Sequence, residues 1–116
     1  MSAGAGTWRV RLAGAAEADF EAIVVWTVEQ FGDVQAGVYA ETLSAAVQAL
    51  TAGPAQPGAK ARPEIGRDLF TMHVARYGRK GRHFVLFRAD PAHRQIDVLR
   101  ILHDSMDLAR HVPSDE

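Results

Sequence analysis

The stretch "EADFEAIVVWTVEQFGDVQAGVYAETLSAAVQAL", residues 17 to 50, decides the fold. Up to Phe31 its apolar residues Phe20, Ile23, Val24, Val28 and Phe31 recur at three and four, the spacing that gathers side chains on one side of a helix. Glu17, Asp19, Glu21 and Glu29 are thereby left mostly toward water, and acids near the start suit the positive end of the helix dipole. Gly32 is a natural C-terminal stop, and Asp33 can cap a second helix from about Val34 to Ala52. On that helix Tyr39, Leu43, Ala46, Val47 and Leu50 again share a face. So short a link leaves the two helices little choice but an antiparallel hairpin. Its stripes hold about ten apolar side chains, each contributing roughly 1.5 to 3 kcal/mol if fully buried. They need a surface to cover.

The flanking sequence supplies it. "WRVRL" (8–12) alternates Trp8, Val10 and Leu12 with Arg9 and Arg11, the period of a strand with one buried face. "AGPAQPGAKARPEIG" (52–66), broken by Pro54, Pro57, Pro63 and its glycines, reads as a loop, long enough to be functional or mobile. Three strands follow: "LFTMHVARY" (69–77), "RHFVLFRAD" (82–90) and "QIDVLRILH" (95–103), joined by the turns "YGRKG" and "DPAHR". "SMDLARHVP" allows a short closing helix over 107–111. The expected architecture is α+β: an N-terminal strand, an α-helical hairpin, a three-stranded antiparallel meander completing one sheet, and a short C-terminal helix. We expect one domain over residues 1–116, with 1–6 a flexible start. Trp26 and Tyr39 fall at helical spacing and read as packing. The sheet face opposite the hairpin is expected to be only partly covered, which makes it the place to look for a partner.

Composition narrows the partner. With 47% hydrophobic and 23% charged residues the chain is globular rather than disordered. No apolar run is long enough for a membrane span and no secretory signal is legible, so a cytoplasmic location is expected. Absence of cysteine removes disulfides and thiol chemistry. Net charge is −1, yet residues 1–59 hold two basic side chains against six acids, while 60–111 hold eleven against six. A segment with a sign of its own points to an anionic partner for the second half. The candidates are Arg76, Arg79, Lys80, Arg82, Arg88 and Arg100, on or beside strands where a guanidinium can hold a carboxylate or phosphate at two points. The same tip charges also serve solubility at a sheet edge. His73, His83 and His93 have no metal-site spacing, so neither metal nor cofactor is expected. Glu64 lies between Arg62 and Arg67 and reads as a local ion pair.

In order, "AEADFEAIVVWTVEQFG" (16–32), "QAGVYAETLSAAVQAL" (35–50), "RPEIGRDL" (62–69), "GRHFVLFRAD" (81–90) and the ending "IDVLRILHDSMDLARH" (96–111) span Val10 to Val112. Together they resemble the ParE/RelE toxin superfamily of type II toxin–antitoxin systems, and the ending looks closer to the ParE branch. The resemblance implies a toxin neutralised by a cognate antitoxin, ParD-like or related, whose extended or helical tail wraps around it. ParE-like members are linked to plasmid stabilization and block DNA gyrase by binding, without an enzymatic act. The alternatives implied are a RelE-like endoribonuclease that cuts mRNA on the ribosome, or an inert member that only binds its antitoxin. For the nuclease the resemblance marks His103, with Arg82, Arg88 and Arg100 for the phosphate. Those nucleases follow this His with Tyr; here Asp104 stands there, and a carboxylate beside a scissile phosphate repels it. His103 reads equally as a hydrogen-bonded element of the closing turn.

Overall fold

The computed structural model describes residues 7–106, so the closing helix expected over 107–111 lies outside the described residues. The elements are β1 (Arg9–Leu12), α1 (Gly14–Ala49) running into a 3₁₀ turn (Leu50–Ala52), β2 (Ala59–Ala61), β3 (Leu69–His73), β4 (His83–Asp90) and β5 (Gln95–His103). The helical element breaks at Gly32, where φ is 90° and ψ 174°, a conformation that a Cβ would disfavour. Beyond its N-terminal end Ala13 N–H donates to the Val98 carbonyl at 2.9 Å; beyond its C-terminal end the Thr51 carbonyl accepts from Trp8 N–H at 2.9 Å. Trp8 and Ala13 merely bracket β1, whereas a straight helix of 36 residues would span about 54 Å. The chain therefore folds back at Gly32 into the expected helical hairpin. Gly32 alone is the hinge; Asp33 is helical and its side chain makes no capping bond.

One five-stranded sheet has the order β1-β5-β4-β3-β2. Strands β3, β4 and β5 form the antiparallel meander. Three details correct or extend the sequence reading. β1 runs parallel to β5, with Val10 beside Ile96 and Leu12 beside Val98, so the sheet is mixed; no tight turn joins these strands to force them antiparallel. The long loop also contains β2, which pairs Ala59 with Met72 and Ala61 with Phe70. Three residues are too few to show a period, and prolines on either side are compatible with an edge strand. β3 stops at His73 rather than Tyr77, because His73 Nδ1 accepts the Ala75 N–H at 3.0 Å and turns the chain.

On the face toward α1, Met72, Val85, Phe87, Ile96, Val98 and Ile101 pack with Ala16, Leu43, Ala46 and Leu50 of the helical element and its 3₁₀ extension. Leu86 lies opposite Arg100 but Phe87 opposite Val98, so Leu99 is a bulge. That extra residue lets Val98 and Ile101 reach the same core despite their odd spacing. The second face is less open than expected: Leu69, Thr71, Leu86 and Leu102 on it are buried, and Arg62 Nε reaches Thr71 Oγ1 at 2.9 Å. Conversely, the far end of the hairpin is not core. Trp26 is 54% exposed and Phe31 64%, while only the small Thr27 and Ala36 are buried between Trp26 and Val38. Among the described residues no helix is long and apolar enough to cross a membrane.

Candidate functional site

Because the hairpin overhangs the sheet, a groove of about 1180 Å³ opens between it and the neighbouring ends of β4 and β5. Ile23, Trp26, Phe31 and Val38 line its helical wall, His83 and His103 its sheet side, Met106 one end, and Arg79, Lys80 and Arg82 its rim. Trp26, read as packing, instead meets Phe31 edge to face at 5.9 Å and presents an apolar wall. The β3–β4 turn is held against the second leg of the hairpin by a close approach at Gly81, where a Cβ would lie 2.6 Å from Val74 Cγ2 and 2.9 Å from the Tyr39 hydroxyl oxygen.

Hydrogen-bonded groups border the groove on its sheet side. Arg82 N–H donates to the Tyr39 hydroxyl oxygen at 3.1 Å, and the same hydroxyl is hydrogen-bonded to His83 Nδ1, 2.7 Å away. His83 is partly buried beside the Tyr39 and His103 rings. Burial, helped by the neighbouring His103, pushes its pKa down to about 4. Burial also raises the Tyr39 phenol. His83 and His103 are cross-strand partners with rings 5.3 Å apart at 82°. His103 Nδ1 accepts the Ser105 N–H at 3.2 Å and lies 2.8 Å from Ser105 Oγ, so the ring is built into the closing turn. Next to it, Asp104 takes Arg82 through both oxygens at 3.2–3.3 Å and His73 Nε2 at 3.0 Å. Arg82 first, then His73, hold that carboxyl down at about 2.

Asp19, which helical periodicity places toward water, is the residue that sequence reasoning missed. Its carboxylate binds Arg100 Nε at 2.7 Å and Nη2 at 3.0 Å, and accepts the Ile101 N–H at 2.9 Å. β1 stops pairing at Val98, so beyond it the β5 edge has no strand beside it, and Asp19 covers the exposed amide. Only knowledge of where β1 ends could have signalled this.

The predicted cations separate into groups. Arg82 is paired with Asp104 and Arg100 with Asp19, both lining the groove. Arg76 folds back onto Gln56 Oε1, the Pro57 carbonyl and Met72 Sδ. Among the described residues Arg79 makes one bond, to Thr42 Oγ1 at 3.3 Å. Lys80 is exposed and has no partner among the described residues. Arg88 lies on the second face of the sheet, in register with Leu69 and Asp97, away from the groove. Of the four nuclease candidates, the fold gathers Arg82, Arg100 and His103 around the groove and leaves Arg88 apart. Glu64 makes its ion pair with Arg62 at 3.6 Å, and His93 contacts Asp90. Among the described residues no three His, Cys, Asp or Glu side chains could hold a metal.

The model of the family described as "ParE toxin of type II toxin-antitoxin system, parDE" matches residues 10–108. Among solved structures, the chain is similar to one from the chromosomal ParDE system of P. aeruginosa, with a TM-score of 0.67 and 21% identity over 84% of this chain and 97% of that one. It is also similar to one from the toxin–antitoxin complex RelBE2 of Mycobacterium tuberculosis, with a TM-score of 0.57 and 19% identity over 84% and 98% of the two chains. No curated protein matches it in sequence.

Proposed function

The chain belongs to the ParE toxin family of type II toxin–antitoxin systems, and from that premise we propose that it acts by binding DNA gyrase, and that an amphipathic segment of a ParD-like antitoxin neutralises it by lying in the groove. The observation that carries this reading is the groove itself, an apolar wall of half-exposed Trp26, Phe31 and Val38 beneath a rim of Arg79, Lys80 and Arg82. An exposed apolar surface rimmed by charge is what a partner covers. A helix about 10 Å across fills roughly 120 Å³ per residue, so 1180 Å³ accommodates about ten residues, nearly three turns.

Binding rather than cleavage is supported by how the nuclease candidates are engaged. Phosphodiester cleavage needs cations free to meet the phosphate and a base free to take a proton. Arg82 and Arg100 are in ion pairs, Arg88 is on the other face, and His103 Nδ1 is occupied, with the Asp104 carboxylate 3.7 Å away. The test is gyrase supercoiling by purified toxin, beside cleavage of ribosome-bound mRNA. Inhibited supercoiling with intact mRNA is expected; intact supercoiling with cut mRNA removes the proposal.

A further inference from the structure

Tyr77, at the end of the β3–β4 turn farthest along the chain from the closing turn, is 88% exposed, more than any other large apolar or aromatic side chain among the described residues. It is also one of three non-glycine residues there with positive φ, at 52°. A bulky side chain is disfavoured in that region, and glycine or asparagine would make the turn with less strain. The ring nevertheless meets a cation. The Arg76 guanidinium stands over it, 5.0 Å from the centroid, and is itself fixed by Gln56 Oε1, the Pro57 carbonyl and Met72 Sδ at 3.1–3.3 Å. One face of the ring is thus backed by a cation and the other is open to solvent.

Charge follows directly. Gly78, with φ of 83°, reverses the chain, and Arg79 and Lys80 come next, no more than about 11 Å along the backbone from Tyr77. Among the described residues Lys80 has no partner and Arg79 has one neutral one, whereas Arg82 is taken by Asp104. An acidic peptide would use these cations but does not need an open aromatic face. A nucleotide uses both, stacking its base and placing its phosphates on the cations.

We propose that the tip from Arg76 to Lys80 binds single-stranded nucleic acid, a base stacking on the open face of Tyr77 and the flanking phosphates resting on Arg79 and Lys80. This holds whether or not gyrase is the target. Arg79 and Lys80 also rim the groove, so an antitoxin lying there competes with the nucleic acid for the same cations.

The test is fluorescence anisotropy of labelled twelve-nucleotide oligo-dT and oligo-U with the full-length toxin over a salt series. Binding is expected to weaken with a log–log slope of about −1.4, two phosphates at roughly 0.7 each. Tyr77→Gly is the decisive variant, since glycine suits the positive φ. It is expected to lose roughly five- to a hundredfold in affinity while its Tm stays level or rises. Lys80→Ala should shallow the salt slope by about 0.7. Tighter binding of either oligonucleotide supports the site and identifies which nucleic acid it takes. The proposal is overturned by absent binding, by a Tyr77→Gly variant that binds as well as the parent, or by an oligo-glutamate of equal charge that binds as tightly with the same dependence on Tyr77.

Discussion

Replacing Asp19 by Ala tests how the hairpin is fastened to the sheet. The carboxylate is 17% exposed and its partner Arg100 26%, so the pair is mostly but not wholly dry. Three bonds end on it, two from Arg100 and one from Ile101 N–H, all between 2.7 and 3.0 Å. Deleting a bond to a charged group costs about 1.5–3 kcal/mol when the partner is left buried, but water can reach part of this site and Ala is the better helix former by roughly 0.5 kcal/mol. The net loss expected is about 3 kcal/mol. For a domain near a hundred residues that is a fall in Tm of roughly 12–18 °C. Asp19→Asn, which keeps an acceptor for Ile101 but not the charge, should lose about half as much. Urea unfolding at pH 7 of Asp19→Ala, Arg100→Met and the double variant gives the coupling directly, expected at about 1.5–2 kcal/mol. Arg11→Ala provides the contrast, because Arg11 is 71% exposed against Asp97 and its loss should stay within about 0.5 kcal/mol. If Asp19→Ala costs under 1 kcal/mol and the coupling vanishes, the carboxylate does not fasten the hairpin.

Gly81→Ala should destabilise by about 1–3 kcal/mol, since the new methyl meets Val74, which is 1% exposed and cannot retreat; a melting curve unchanged from the parent would show that the turn stands off from the hairpin. Phe31→Glu should leave unfolding within about 0.5 kcal/mol while weakening antitoxin binding at least tenfold by calorimetry, and equal affinity would move the antitoxin elsewhere. Acid sensitivity should begin early: His83 takes its proton near 6.5 when unfolded but only near 4 when folded, so the unfolded chain binds the extra proton between those values and stability falls as pH drops through them. Discounted for the ring's partial exposure this is about 1–2 kcal/mol, and His83→Gln should flatten that part of the pH–stability curve.

The hairpin and the meander were legible because both rest on periodicity that solvent enforces over many residues. Gly32 was legible as a break because few other residues serve there. What the sequence left hidden depends on where elements end in space. Val28 and Phe31 continue the apolar stripe of the first helix, but the sheet does not extend beneath them, so the same pattern that makes core near Phe20 makes a groove wall near Phe31. Asp19 looks like any acid in an early helical turn until β1 is seen to stop at Val98. Among the cations, sequence could place the charges but not their partners, because Gln56, Asp104 and Asp19 lie twenty or more residues away from Arg76, Arg82 and Arg100.

That division bears on how an acidic partner is recognised. Arg82 already gives Asp104 a two-point contact, and an incoming carboxylate can take it only by displacing an equal group that is also held by His73. Exchange of one carboxylate for another gains little, and it would release the closing turn, whose Asp104 N–H is bonded to the Arg82 carbonyl at 2.7 Å. Arg100 is tied in the same way by Asp19. These ion pairs therefore set the shape of the groove and contribute little to attraction. Among the described residues Arg79 has a hydroxyl as its one partner and Lys80 has none, so these are the rim cations a partner acid can reach at no cost to the fold. It follows that Arg82→Ala should loosen the fold more than it weakens an acidic partner, and Lys80→Ala should do the reverse.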